Sequence, residues 1–118
     1  MSRNRLFVIA AVLVLFVIAG GVLIYANSHK GQNVTINLTV KEASSMTPSE
    51  VSAHVNDTVT IDITSDTDGE VHLHVYDIPF DTRAGQTVSH TFRADKTCTC
   101  LIEWESTSTE LGHLTVSP

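Results

Sequence analysis

Two pairs of residues in this 118-residue sequence have the types and spacing of metal ligands. His72 and His74 stand two apart in "GEVHLHVYD", and Cys98 and Cys100 stand two apart in "KTCTC". Alternate side chains of an extended strand share a face. The first segment therefore splits into an apolar face of Val71, Leu73 and Val75 and a second face of His72, His74 and Tyr76. Imidazoles at that spacing hold Cu(II) or Zn(II) when a third or fourth ligand is near. The alternative is a solvated outer face with Glu70 and Asp77 as hydrogen-bond partners. Strand residues two apart lie about 6.5–7 Å apart at Cα, at or beyond comfortable disulfide range. The cysteines are thus free thiols, a strained local bridge, an intermolecular bridge or thiolate ligands of a soft ion such as Cu(I). His113 or His90 would complete a metal shell. His90 alternates with Val88 and Phe92 and so points inward, as a core histidine satisfied by a carbonyl or as a ligand. His113 lies opposite Leu114 and Val116 and faces outward, as His54 does opposite Ala53 and Val55.

These residues need strands to position them, and a period of two runs through most of the chain after residue 32. Val34, Ile36, Leu38 and Val40 alternate with Thr35, Asn37 and Thr39, and Val59, Ile61 and Ile63 repeat the pattern. Asn56-Asp57, Asp68-Gly69, Ile78-Pro79 and Ala84-Gly85 read as turns between short strands. Alternating strands at this spacing predict an all-β antiparallel sandwich or barrel of about seven or eight strands. "EASSMTPSE" has room for one helical turn.

The N-terminus is of another kind. Residues 6–26, "LFVIAAVLVLFVIAGGVLIYA", carry no charge, and about 21 helical residues reach roughly 30 Å, the thickness of a bilayer core. The run is longer than the apolar part of a cleaved leader, about 7–15 residues, and "LIYANS" is a poor small-x-small site. It reads as an uncleaved transmembrane signal anchor in the lipid bilayer. Arg3 and Arg5 place residues 1–5 in the cytoplasm. Residues 27–32 form a linker and residues 33–118 an extracytoplasmic domain, periplasmic or extracellular. Beyond the anchor, five basic residues face 13 acidic ones. Such a surface discourages nucleic acid and anionic lipid and tolerates cations. No nucleophile elbow, phosphate-binding glycine loop or paired carboxylate motif supports catalysis, so the expectation is a protein that is not an enzyme.

The segments "VNDTVTIDITSD" (55–66), "EVHLHVYD" (70–77), "AGQTVSHTFRAD" (84–95) and "LGHLTV" (111–116) together resemble small exported, membrane-anchored bacterial cupredoxin-like domains, over roughly residues 33–118. The resemblance implies a Greek-key sandwich and an extracytoplasmic address. Copper-holding relatives present one histidine on a middle strand and a cysteine, a second histidine and a methionine around the last loop. Here that loop reads "EWESTSTELGH": His113 is its one histidine, it has no methionine, and Met46 lies far upstream. Where relatives carry glycine and an aromatic residue, this chain has Cys98 and Cys100. In the aromatic's place, Cys100 would face the core with Ile102 and Trp104 by alternation, as a small hydrophobe or a thiolate ligand, with Cys98 on the same face nearer the rim. A degenerate or atypical copper site follows, with His72, His74, Cys98 and Cys100 as ligands and His113 or His90 as completing groups. The chain would bind a metal ion or serve a metal-handling protein. The competing expectation is a metal-free interaction or structural module of the cell envelope.

Overall fold

β-Branched residues at a period of two favour a half-buried pleated strand. In the computed structural model, which describes residues 30–118, the first such segment is β1 (Asn33–Lys41), with Ile36, Leu38 and Val40 buried. Eight further strands follow: β2 (Ser45–Thr47), β3 (Glu50–His54), β4 (Thr58–Ser65), β5 (Gly69–Leu73), β6 (Ile78–Thr82), β7 (Thr87–Arg93), β8 (Cys98–Trp104) and β9 (Thr109–Ser117). A single 3-10 turn, Glu105–Thr107, joins the last two. One sheet has the order β2-β1-β4-β7 and the other β3-β9-β8-β5-β6. Val40, Val59, Ile61 and Ile63 of the first sheet face Val71, Leu73, Ile102, Trp104 and Leu114 of the second, all within one core cluster.

The all-β sandwich agrees with the sequence pattern, and four details differ from it. The described residues hold nine strands rather than seven or eight, because "EASSMTPSE" contains a turn and the short strand β2 instead of a helical turn. The sheets are mixed: β1 runs parallel to β4 and β3 parallel to β9. Alternation reports which residues face inward but carries no information on strand direction. The turn expected at Ile78-Pro79 lies one step earlier, at residues 74–77, and Pro79 sits within β6 opposite His72. β6 is an edge strand, where proline's missing N–H costs no ladder bond. Because β5 ends at Leu73, Val71 and Leu73 are buried as expected, whereas Val75 is 54% exposed in that turn with φ +73°. Among the described residues no helix is long and apolar enough to cross a membrane, and the expected span, residues 6–26, lies outside them.

Asp57 fastens the corner where the chain enters the sandwich. It is 2% exposed. Its Oδ1 accepts the Gln32 N–H at 2.9 Å and its Oδ2 accepts the His54 N–H at 2.8 Å. Its carbonyl accepts the Ala94 N–H, while Asn56 N–H donates to the Ala94 carbonyl and Thr58 N–H to the Gln32 carbonyl. One residue thus joins the chain entering β1, the β3–β4 corner and the exit from β7.

Replacing Asp57 by alanine strands two backbone donors, each costing about 1–3 kcal/mol when buried without a partner. Urea unfolding of residues 31–118 is expected to show Asp57→Ala less stable by about 2–4 kcal/mol. Asp57→Asn, which keeps one acceptor oxygen, should lose less.

Candidate functional site

The outer face of the five-stranded sheet carries the histidines. On β5, Val71 and Leu73 are buried, so His72 between them projects away from the core. Strand register sets its neighbours: His72 lies opposite Glu103 of β8, which in turn lies opposite Glu110 of β9. The next row along the sheet runs from Glu50 of β3 to His113 of β9 and Leu101 of β8, and the Leu101 carbonyl accepts the His74 N–H. Three histidines and three glutamates thus occupy one face in two adjacent rows.

Each of these imidazoles meets carboxylate. His72 Nε2 lies 2.7 Å from Asp77 Oδ1, and its Nδ1 lies 3.5 Å from Glu105 Oε2. A neutral imidazole donates from one nitrogen only, whereas an imidazolium donates from both. His74 Nε2 is 3.1 Å from Glu103 Oε1. The His72 and His74 rings stand 4.5 Å apart between centroids, tilted by 53°. Their side chains are 19% and 39% exposed, enough for solvent ions to reach them. Asp77 reaches His72 because the turn at residues 74–77 folds back, with Asp77 itself at φ +53°.

His113 lies across Leu101 from this pair. Its Nδ1 is 2.9 Å from Glu50 Oε1 and its Nε2 is 2.7 Å from Glu110 Oε1. The hydrogen bond to Glu50 holds the imidazole above its ordinary value, and the charges of Glu50 and Glu110 act in the same direction. His90, expected to point inward, packs edge-on against Phe80 at 4.9 Å, on an edge strand where it stays exposed. Tyr76 leaves the histidine face: its ring packs on Phe92 at 4.8 Å, and its hydroxyl donates to the Lys96 carbonyl.

The cysteines belong to the opposite face of the same sheet. Cys100 is fully buried in line with Ile102 and Trp104, and Cys98 is half-buried nearer the rim, as alternation predicts. Of the alternatives open in the sequence, the structure takes the local bridge: Cys98 and Cys100 form a disulfide with Cα atoms 5.3 Å apart. That separation is inside the bridging range because the first residues of β8 are contracted relative to a full extended repeat.

The donor set of a blue copper centre is two histidines, a thiolate and a weak axial ligand. The residues present do not fit it. The sulfurs are bridged and face the core, and Met46 is 5% exposed, with its methyl group against Gly112. Among the described residues no three His, Cys, Asp or Glu side chains converge as ligands of one ion. The structure brings His72 and His74 together with carboxylates, and does not bring Cys98, Cys100, His90 or His113 to them. Sequence reasoning named Asp77 only as a hydrogen-bond partner and missed Glu103 and Glu105. Glu103 reaches the pair through strand register, which a single sequence does not encode, and Glu105 through the turn that ends β8.

No family model matches the chain, and no curated protein matches it in sequence. Solved structures do match in fold. A blue copper oxidase from Nitrosomonas europaea aligns with TM-score 0.57 at 13% identity, over 74% of this chain and 39% of the oxidase chain. The multicopper oxidase mgLAC aligns with TM-score 0.54 at 15% identity over the same shares, so this chain spans well under half the length of either oxidase. Auracyanin B aligns with TM-score 0.52 at 16% identity, over 72% of this chain and 89% of its own. A chain of a heme-copper terminal oxidase dimer aligns with TM-score 0.54 at 15% identity, over 92% and 95%. At these identities the likeness is one of fold, and the domain has a cupredoxin-like β-sandwich.

Proposed function

We propose that this chain is a membrane-anchored, extracytoplasmic cupredoxin-like domain that binds copper or another transition metal passively, through a site other than a blue copper centre. The observation that carries the reading is the His72–His74 pair, with rings 4.5 Å apart and Asp77, Glu103 and Glu105 against them. Imidazole nitrogen with carboxylate oxygen suits Cu(II) or Zn(II) better than a soft monovalent ion. Since no three of these groups converge as they stand, an ion would take one nitrogen from each histidine and draw in an oxygen of Glu103 or Asp77 by side-chain rotation. The acidic domain raises the local cation concentration. Residues 6–26 would hold the domain at a lipid bilayer with residues 1–5 inside, and a disulfide is in keeping with an oxidising compartment. The partner is a metal ion or a metal-handling protein rather than nucleic acid, and no catalytic step is assigned. His113 is set apart from this pair: Glu50 and Glu110 flank its two nitrogens and favour its protonated form, which opposes metal ligation.

A second reading, a metal-free interaction or structural module of the cell envelope, is favoured by one observation. His72, His74 and His113 are each already satisfied by carboxylates.

Calorimetric titration of residues 31–118 with Cu(II) and with Zn(II) separates the two. The metal reading expects binding that disappears in His72→Ala/His74→Ala, weakens about 10–100-fold in Glu103→Gln, and survives Cys98→Ser/Cys100→Ser. Identical stoichiometry in the wild type and the double histidine variant would end the reading at this site, and no binding to the wild type would favour the metal-free module. No intense band near about 600 nm is expected with Cu(II), since a blue centre needs a thiolate.

A proton-detected titration of the imidazoles supplies a further check. His113 should titrate above the ordinary histidine value of about 6.5, and Glu50→Gln should bring it down. A histidine raised on folding stabilises the fold fully below its unfolded value. Its contribution is then lost as pH rises through the higher folded value. Unfolding measurements across that window should show the wild type losing its advantage over Glu50→Gln as pH rises.

A further inference from the structure

We propose that the Cys98–Cys100 bridge is a reversible thiol–disulfide exchange site, opened and closed by an external dithiol or pair of thiols, with Cys98 as the attacked sulfur. Three features of β8 lead there.

The first is what the bridge does not do. It joins two residues of one strand, so it ties no separate elements together. The stabilisation a disulfide gives by restricting the unfolded chain grows with the loop it closes, and one intervening residue closes almost none. Opening the bridge leaves the β8–β9 ladder and the β8–β5 ladder in place, since both are held by backbone bonds. The reduced and oxidised forms therefore share one fold, which a reversible couple requires and a structural staple does not.

The second is that the two sulfurs are unlike. Cys100 is 0% exposed, enclosed by the core. Cys98, the first residue of β8, is half-buried, flanked by the exposed Thr97 and Thr99. Its Sγ lies 3.9 Å from the Leu114 carbonyl of the neighbouring strand β9. Exchange requires a nucleophile to reach one sulfur opposite the leaving one. Here the rim sulfur is reachable and the buried one is the leaving group.

The third is access along the strand. β5 pairs with β8 at Ile102, Glu103 and Trp104, and the His74 N–H bonds the Leu101 carbonyl. From Cys98 to Cys100 the ladder partner among the described strands is β9 alone. On the other side the turn at residues 74–77 brackets this stretch, with the His74 N–H at Leu101 and the Tyr76 hydroxyl at the Lys96 backbone, so no strand ladder covers the bridged residues there.

An incoming thiolate attacks Cys98 Sγ, a new S–S bond forms, the Cys98–Cys100 bond breaks, and the electron pair leaves on Cys100 Sγ, which takes a proton from solvent. A second thiol of the donor, deprotonated, attacks the donor sulfur of the mixed disulfide. Cys98 leaves as a thiolate and is protonated, and the donor departs as a disulfide. Two donor thiols become one disulfide while the bridge gains two electrons and two protons. The reverse sequence oxidises a dithiol donor at the expense of the bridge.

The test equilibrates the full chain, in detergent, with dithiothreitol and separately with glutathione redox buffers. Thiols are counted by alkylation and mass spectrometry, and the fold is followed by circular dichroism. Reduction to two alkylatable thiols without change of the spectrum is expected in both series, the first distinguishing dithiol from monothiol donors by its lower half-point. Limited exposure of the wild type to reduced glutathione should place the mixed disulfide on Cys98, and with oxidised glutathione, which supplies the disulfide, the free thiol of Cys100→Ser should form it while that of Cys98→Ser forms it about a hundredfold more slowly while folded. A bridge that opens only with denaturant, a spectrum lost on reduction, or equal glutathione labelling of Cys98 and Cys100 in the wild type would each overturn the proposal. The wild-type labelling pattern decides the matter even where a serine variant fails to fold.

Discussion

The sandwich depends on a carboxylate buried at the corner where its first strand begins. Both sheets contain a parallel pair, β1 with β4 and β3 with β9, and parallel neighbours cannot be closed by a tight hairpin. β1 must instead be brought alongside β4 from outside. The chain is pressed so closely to the corner that a Cβ on Gly31 would overlap the Asn56 carbonyl, and Gly31 itself sits at φ +85°. A side chain with two acceptor oxygens then holds the incoming backbone at Gln32 and the preceding backbone at His54 together. The carboxylate thus satisfies one backbone donor where the chain enters β1 and one at the end of β3. Without it β1 would enter the sheet loosely, and Ile36, Leu38 and Val40 would lose their fixed place against Ile61 and Ile63.

From that corner the pleat decides what faces water. Every strand that turns valine, leucine or isoleucine inward turns its alternate residues out, and register lines those residues up across strands. β9 shows how strict the rule is. Glu110 and His113 are three apart, which in an uninterrupted strand puts them on opposite faces. The irregularity between Ile102/Glu103 and its β9 partners adds Leu111 as an extra residue, and Leu111 and Gly112 are both buried. The bulge resets the phase, and both Glu110 and His113 come to the outer face, within 2.7 Å of each other. Gly112 is required there for another reason: a Cβ would overlap the Ser49 carbonyl, which accepts the His113 N–H.

This logic also marks where the sequence was legible. Period two in Val34–Val40 and Val59–Ile63 named the core-facing residues, and alternation from Ile102 and Trp104 turned Cys100 inward. What alternation does not report is where a strand stops. Val75 continues the apolar face of Val71 and Leu73 on paper, yet the chain has already turned, so Val75 lies exposed and Asp77 swings back to His72. Nor does it report which strand is the neighbour. Glu103 is 29 residues from His74 and becomes its partner only through the β5–β8 pairing. Spacing alone left the local bridge as one alternative among four, because a fully extended strand holds residues two apart farther than the 5.3 Å found between the Cα atoms of Cys98 and Cys100.

β8 finally shows why imidazole and sulfur chemistry stay apart in this domain. Its residues alternate between the two faces of one sheet: Cys98, Cys100, Ile102 and Trp104 inward, Leu101 and Glu103 outward. The histidines reach β8 through Glu103, near its C-terminal end and on the outside, while the sulfurs lie near its N-terminal end and on the inside. Three residues of extended chain and the thickness of the sheet separate the two, about 10 Å along the strand alone, against metal–ligand bonds of about 2.0–2.3 Å. An ion held by His72 and His74 would therefore find oxygen rather than sulfur as its further ligand, and thiol exchange at the sulfur pair would leave such an ion undisturbed. Parity of the pleat, set by the core, divides one strand between two chemistries.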